Sequence, residues 1–181
     1  MPEVVNVVAA GSLGRQLDIS AVGDDIDAAE VNYNTDGYQT PTVYLREQEG
    51  GPLVTVYESG SYHISGATSI TEVEGVYEWL VEALNRLGIE GIDPEFEVKN
   101  VVLVGDLNLK LDLTRLALEL GLEQTEYEPE QFSGLVYRPT ELPSVFLLFA
   151  SGRVVVPGSP DEKTAFRAFD NLQEKLSEVT D

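Results

Sequence analysis

Apolar residues along this chain follow two periods, one of two residues and one of three to four, in a fixed order that occurs twice. From Val4 to Ala10 the run is β-branched or small, with Asn6, Val8 and Ala10 alternating with Val7 and Ala9, and it predicts a strand. Leu17-Asp18-Ile19-Ser20 opens a short helix that Asp18 or Ser20 can cap, because a side-chain oxygen there satisfies a free amide of the first turn. Three more strands are predicted at Thr42–Glu47, Leu53–Tyr57 and Tyr62–Ser65, joined by Glu49-Gly50-Gly51-Pro52 and the tight turn Ser59-Gly60. The period then lengthens. From a start at Ser69 or Thr71, Val73, Val76, Tyr77, Leu80, Val81 and Leu84 form one helical stripe that Gly88 ends.

The second pass repeats the first. Between Val4–Tyr33 and the segment 94 residues later, nine of thirty positions are identical, among them Asn6/Asn100, Val8/Val102, Gly11/Gly105 and Asp18/Asp112. After a slip of two residues the match resumes at an offset of 92, through Arg46/Arg138, Gly60/Gly152, Gly66/Gly158 and Leu84/Leu176. This copy has a strand with Asn100, Val102 and Val104 alternating with Val101 and Leu103. A helix follows, capped by Asp112 or Thr114 and carrying Leu113, Leu116, Ala117 and Leu120. Strands are predicted at Gly134–Arg138, Val145–Phe149 and Arg153–Val156, joined by Thr140-Glu141-Leu142-Pro143 and Ser151-Gly152. The closing helix has Pro160 in its first turn and Ala165, Phe166, Phe169, Leu172 and Leu176 on its stripe. Trp79, Phe166 and Phe169 are read as core.

A period near ninety is too long for a solenoid unit and suits half of a two-lobed domain, so a pseudo-twofold molecule is expected, with lobes 1–91 and 92–181. The first strand of each lobe is apolar on both faces, as in a sheet buried on two sides. The helices suffice to cover one side, which leaves the other as a binding surface. The competing expectations are two sheets packed together, or a homodimer that buries this face.

Charge complicates that picture. Eleven basic and 32 acidic residues give −21, spread as −12 over residues 1–91 and −9 over 92–181. With 43% hydrophobic residues the chain can still bury a core, so disorder is not expected. A surface adapted to molar salt is the leading reading and an acidic face for a basic partner the second. Taken alone, the balance argues against nucleic acid. No run of eighteen apolar residues suggests a membrane span, Met1-Pro2-Glu3 does not begin a secretory leader, and cysteine is absent, which together lead us to expect a cytoplasmic protein. No catalytic triad, phosphate loop or paired-histidine metal motif occurs; Asp24-Asp25 and Asp27 lack calcium-loop spacing. Neither an enzyme nor a cofactor is expected.

The segments VVNVVAAGSLGRQLD and EVKNVVLVGDLNLKLD, then YEPEQFSGLVYR and VFLLFASGRVVVPGS, resemble the TATA-box-binding protein family in its archaeal form. The resemblance spans nearly the whole chain, strongest over 98–181 and loosest over 30–70. It implies an α+β saddle of two pseudo-twofold repeats, with a curved ten-stranded antiparallel sheet and four helices on its convex face. It implies a concave face that lies on the minor groove of promoter DNA, bends it, and recruits transcription factor B and, through it, RNA polymerase. By the same resemblance Asn6 and Asn100 donate to groove acceptors, and Val8, Val102, Leu147 and Val155 press on base edges. Phe132 and Phe149 resemble the wedging pair of the second lobe, and Arg138 and Arg153 the phosphate contacts; with Arg46 they form a local basic set on the DNA face, to which Arg15 and Lys99 add. Glu141 resembles the acidic hairpin residue that meets transcription factor B.

The first lobe departs from the family pattern. Tyr57 stands where a phenylalanine is usual, and its companion is Tyr38, or Thr40 given the two-residue slip. Ser61 replaces a basic residue, His63 an apolar base contact, and in the second lobe Pro157 replaces a threonine. A weaker grip or altered sequence preference is expected there. The rival reading is a divergent saddle paralogue that works mainly as a protein-interaction module.

Overall fold

A computed structural model describes residues 1–34, 37 and 39–180, with Thr180 described by its backbone alone. By internal contacts it divides into two compact units, Asn6–Lys99 and a second formed by Met1–Val5 with Asn100 onward. The first unit carries most of β1 (Glu3–Ser12), then α1 (Ile19–Asp25), β2 (Glu30–Asn34), β3 (Thr42–Arg46), β4 (Leu53–Tyr57), β5 (Ser61–Ala67) and α2 (Ile70–Arg86). Its strands run antiparallel in the order β2-β3-β4-β5-β1. The second carries most of β6 (Glu97–Asp106), then α3 (Leu113–Leu120), β7 (Thr125–Glu126), β8 (Leu135–Tyr137), β9 (Phe146–Leu148), β10 (Arg153–Ser159) and α4 (Glu162–Thr180). Here the order is β6-β10-β9-β8-β7, again antiparallel. β1 and β6 begin and end 94 residues apart, and β5 and β10 begin and end 92 apart, so the sequence offsets are also structural ones.

Local chemistry explains where the helices start. Asp18 accepts from the Ala21 amide at 3.1 Å and Asp112 from the Arg115 amide at 3.0 Å, so the aspartates, not Ser20 or Thr114, are the caps. Ser69 caps α2 through the Glu72 amide at 3.1 Å, while the Glu72 carboxylate reaches back to the Thr68 amide at 2.6 Å. Before α4, Asp161 accepts from the Thr164 amide at 2.7 Å, which holds its carboxyl below the ordinary aspartate value. Pro160 therefore precedes the helix instead of lying in its first turn.

Each half-sheet is covered on one face. Val7, Ala9, Val43, Leu45, Val54, Val56 and Ile64 are fully buried; α2, with Val73, Leu80 and Leu84 buried on its stripe, packs on β5, and α1 packs on β2 and β3. In the second unit Val101, Leu103, Leu135, Phe146, Leu148, Val154 and Val156 are likewise buried; α4, with Ala165, Phe169 and Leu172 buried, packs on β10, and α3 on β7. Phe169 is core as expected, whereas Trp79 and Phe166 are only half-buried, as are Tyr77 and Val81. Ala83 and Ala168, which the sequence stripes did not include, are buried.

Two strands escaped the periodicity. β2 (Glu30–Asn34) and β7 (Thr125–Glu126) are outermost in their units, short and largely polar, because an outer strand has half its surroundings in water. Three predicted strands are shorter than expected: β3 omits Glu47, β8 omits Gly134 and Arg138, and β9 omits Val145 and Phe149.

Candidate nucleic-acid interface

The alternation of β1 leaves Asn6, Val8 and Ala10 half-exposed while Val7 and Ala9 are sealed. β6 does the same with Asn100, Val102 and Val104 against Val101 and Leu103. The side opposite the helices is therefore open in both units and, in the second, largely apolar. Strand register fixes which residues are neighbours there. In the second unit Val104, Val155, Leu147 and Val136 lie side by side across β6, β10, β9 and β8.

The paired asparagines sit on backbone irregularities. Between β1 and β5 the register shifts after Val7, and between β10 and β6 it shifts after Val156. The chain takes up the extra residues at Gly66 and Gly158, whose φ values of 86° and 79° belong to the left-handed region that favours glycine. The freed Gly66 amide donates to Asn6 Oδ1 at 2.9 Å, and the Gly158 amide to Asn100 Oδ1 at 2.8 Å. Only an oxygen can accept these bonds, so the orientation of each amide is settled. Both N–H donors of each asparagine remain without a protein partner among the described residues. Nothing in the sequence reading identified Gly66 and Gly158 as positioning residues, although their identity at the 92-residue offset was the available signal.

The rings of Phe132 and Phe149 meet edge to face, with centroids 5.8 Å apart. Phe132 is 40% exposed and Phe149 half-buried. A Cβ on Gly134 would stand 2.8 Å from Phe132 and 3.0 Å from Phe149, so its absence makes room for the pair. Phe149 begins the turn closed by the Gly152 amide donating to its carbonyl at 2.9 Å, and Tyr57 begins the matching turn through Gly60, also at 2.9 Å. Tyr57 meets His63 edge-on at 5.4 Å. Tyr38 lies outside the described residues; Thr40 is exposed.

Most of the expected cations are already engaged. Arg46 Nε lies 3.2 Å from Glu30, Arg138 Nε lies 3.7 Å from Glu126, Lys99 pairs with Glu97, and Arg15 donates to the Glu90 carbonyl. Arg153 is exposed and has no side-chain partner among the described residues. Exposed pairs of this kind contribute at most about 1 kcal/mol, so an incoming phosphate can take over the arginines. Glu126 and Glu128 also line a depression beside Phe132, which puts carboxylates next to the candidate wedge.

Away from this face, Glu141 is exposed in the β8–β9 connection. It lines a cavity of about 410 Å³ with Tyr137, Leu142, Lys175 and Glu178. Burial first, and the Glu141 charge second, push the Tyr137 hydroxyl above its usual value. The described residues hold no cluster of metal-ligating side chains, and none of their helices is long and apolar enough to cross a membrane.

A duplicated sheet-and-helix protein with asparagine donors on the open face of each unit is of the saddle class: α+β, ten antiparallel strands and four helices. The family model described as transcription factor TFIID, or TATA-binding protein, matches residues 1–87 and 95–179. The two matched ranges start 94 residues apart and end 92 apart, as the duplication requires. The chain is 41% identical over 179 residues to TATA-box-binding protein C of Halobacterium salinarum, covering 98% of both. It is 38% identical over 175 residues to TATA-box-binding protein 2 of Haloferax volcanii, covering 96% of this chain and 92% of that one. The solved structure of Methanococcus jannaschii TBP superposes with a TM-score of 0.83 at 33% identity, covering 98% of this chain and 99% of that one. This chain belongs to the TATA-binding protein family, a family of transcription factors and not of enzymes.

Proposed function

We propose that this protein is a general transcription initiation factor that binds the TATA box through the minor groove and bends the promoter. It then presents Glu141 and its neighbouring cavity to transcription factor B, which recruits RNA polymerase. The observation that carries the reading is the pair of asparagines whose oxygens are tied to Gly66 and Gly158 while their N–H groups stay available. A minor groove of A·T pairs offers only acceptors, adenine N3 and thymine O2, which suits those donors. Val8, Val102, Leu147 and Val155 supply apolar contact, and Phe132 with Phe149 the wedge. The test is binding and end-to-end energy transfer on a TATA duplex beside a G·C-only duplex. Retained binding to transcription factor B with no preference between duplexes would favour the protein-interaction paralogue instead.

Asn100→Asp should separate the two ends of the amide. The retained oxygen still accepts from Gly158, so thermal stability should hold, but the donors are replaced by a charge facing groove acceptors. Loss of one well-placed base contact corresponds to about 1–3 kcal/mol, a roughly five- to hundred-fold weaker complex in a titration.

Salt should act against the ordinary trend. A protein making six to ten phosphate contacts loses about 10³–10⁵ in affinity between 50 and 200 mM salt through counterion release. Here Glu30 and Glu126 hold Arg46 and Arg138, and further carboxylates lie beside Phe132. Phosphates brought against them take up cations, so affinity should stay flat or rise towards molar KCl in anisotropy titrations. A steep fall contradicts this.

A further inference from the structure

The open faces of the two repeats differ along one row. Where the second has Val104, Val155, Leu147 and Val136, register places Ala10, His63, Thr55 and Tyr44 side by side across β1, β5, β4 and β3. The rows correspond position by position at the repeat offsets, 94 for Ala10/Val104 and 92 for the rest. Three of four apolar side chains have become hydrogen-bonding ones. His63 and Tyr44 are exposed and Thr55 is half-buried, and none of their polar groups has a hydrogen-bond partner among the described residues.

We infer that Thr55 and His63 are specificity-determining residues that let the first repeat accept a G·C pair where the second repeat rejects one. The inference rests on the minor-groove reading above. A G·C pair differs in that groove by the guanine N2 amino group, a donor. Against Leu147 and Val155 this donor loses water and finds no acceptor, whereas Thr55 Oγ1 and an imidazole nitrogen without its proton both accept. Threonine is also shorter than leucine and leaves room for the amino group. Asn6 still offers its donors to the acceptors that every base pair presents.

The test walks a single G·C pair through a short A·T element, measuring the affinity of the intact chain for each duplex. One half of the element should tolerate the change with little loss, while the other loses about ten-fold or more, the usual order for a mismatched pair. Inosine in place of guanine removes only the amino group. It should weaken binding in the tolerant half and restore it in the intolerant half, an opposition of sign that needs no variant. The double variant T55L/H63V, which writes the second repeat's side chains into the first, should make the tolerant half intolerant and so assign it to this repeat. Equal penalties in both halves, inosine improving both, or an unchanged profile in the double variant overturns the inference. Failure to bind any duplex sinks the minor-groove reading itself, whereas A·T binding with symmetric penalties sinks only this inference.

Discussion

Gly152→Ala is expected to lower folding stability by about 3–5 kcal/mol, with Gly60→Ala close behind, as read from denaturant unfolding in concentrated KCl. Each glycine closes the turn that follows β9 or β4 with a φ of 94° or 91°. A left-handed residue bearing a Cβ costs about 1–2 kcal/mol by itself. The larger share comes from contact. A Cβ on Gly152 would stand 2.1 Å from the Leu109 carbonyl oxygen, and one on Gly60 would stand 2.0 Å from that of Arg15. Neither backbone can retreat easily. Leu107 and Leu111 donate to the Gly152 and Ala150 carbonyls at 2.9 and 3.0 Å, and Leu13 and Leu17 to those of Gly60 and Glu58 at 2.8 and 2.9 Å. Gly50→Ala is the control: its φ is 69° but nothing lies within 4 Å of the added carbon, so only the conformational part should be lost. Equal losses at Gly50 and Gly152 would show that the close approach is relieved cheaply.

Phe149→Ala should have the largest effect on DNA that leaves the fold intact. Phe149 is half-buried and supported by Phe132 at 5.8 Å and by the absent side chain of Gly134. Aromatic stacking on a base contributes about 1–3 kcal/mol, so removing the ring should weaken binding roughly five- to hundred-fold. The angle should change as well as the affinity, because an unwedged base step has no reason to open. Energy transfer between duplex ends should therefore fall towards the value of straight DNA even at saturating protein. Tyr57→Phe provides the contrast in the first repeat. Its hydroxyl has no partner among the described residues, and burying it unpaired costs about 1–3 kcal/mol, so its removal should leave binding unchanged or tighter. A weaker complex after Tyr57→Phe would mean that the hydroxyl contacts DNA.

The duplication makes most of the architecture legible in the sequence. The alternation of Val7 and Ala9 with Asn6 and Val8 is apolar on both faces and does not say which face is sealed, while the caps at Asp18, Ser69 and Asp112 are each one of the two candidates that the sequence offers. What stayed hidden depends on register. Glu30 and Arg46 are sixteen residues apart and meet only because β2 pairs with β3, so the first repeat's arginine could not be seen as engaged. The amide orientation of Asn6 was equally out of reach, since it follows from a shift in pairing sixty residues away. The polar row of the first repeat is half visible in the sequence: His63 stands where the family pattern has an apolar base contact, while Thr55 and Tyr44 look like ordinary strand residues until pairing aligns them.

The short outer strands have a consequence for life at high concentration. In a molar electrolyte, like charges on neighbouring molecules repel over only about 3 Å, so even an excess of twenty-one acids is a poor guard against clumping there. Steric and hydrogen-bonding defences do not fade with salt. A two-residue β7, and a β2 bearing Glu30, Asn32 and Asn34, offer a stranger's backbone too little ladder to zip onto. Stiffening or greasing either margin, for instance with valines through β2, should promote edge-to-edge association and fibrils.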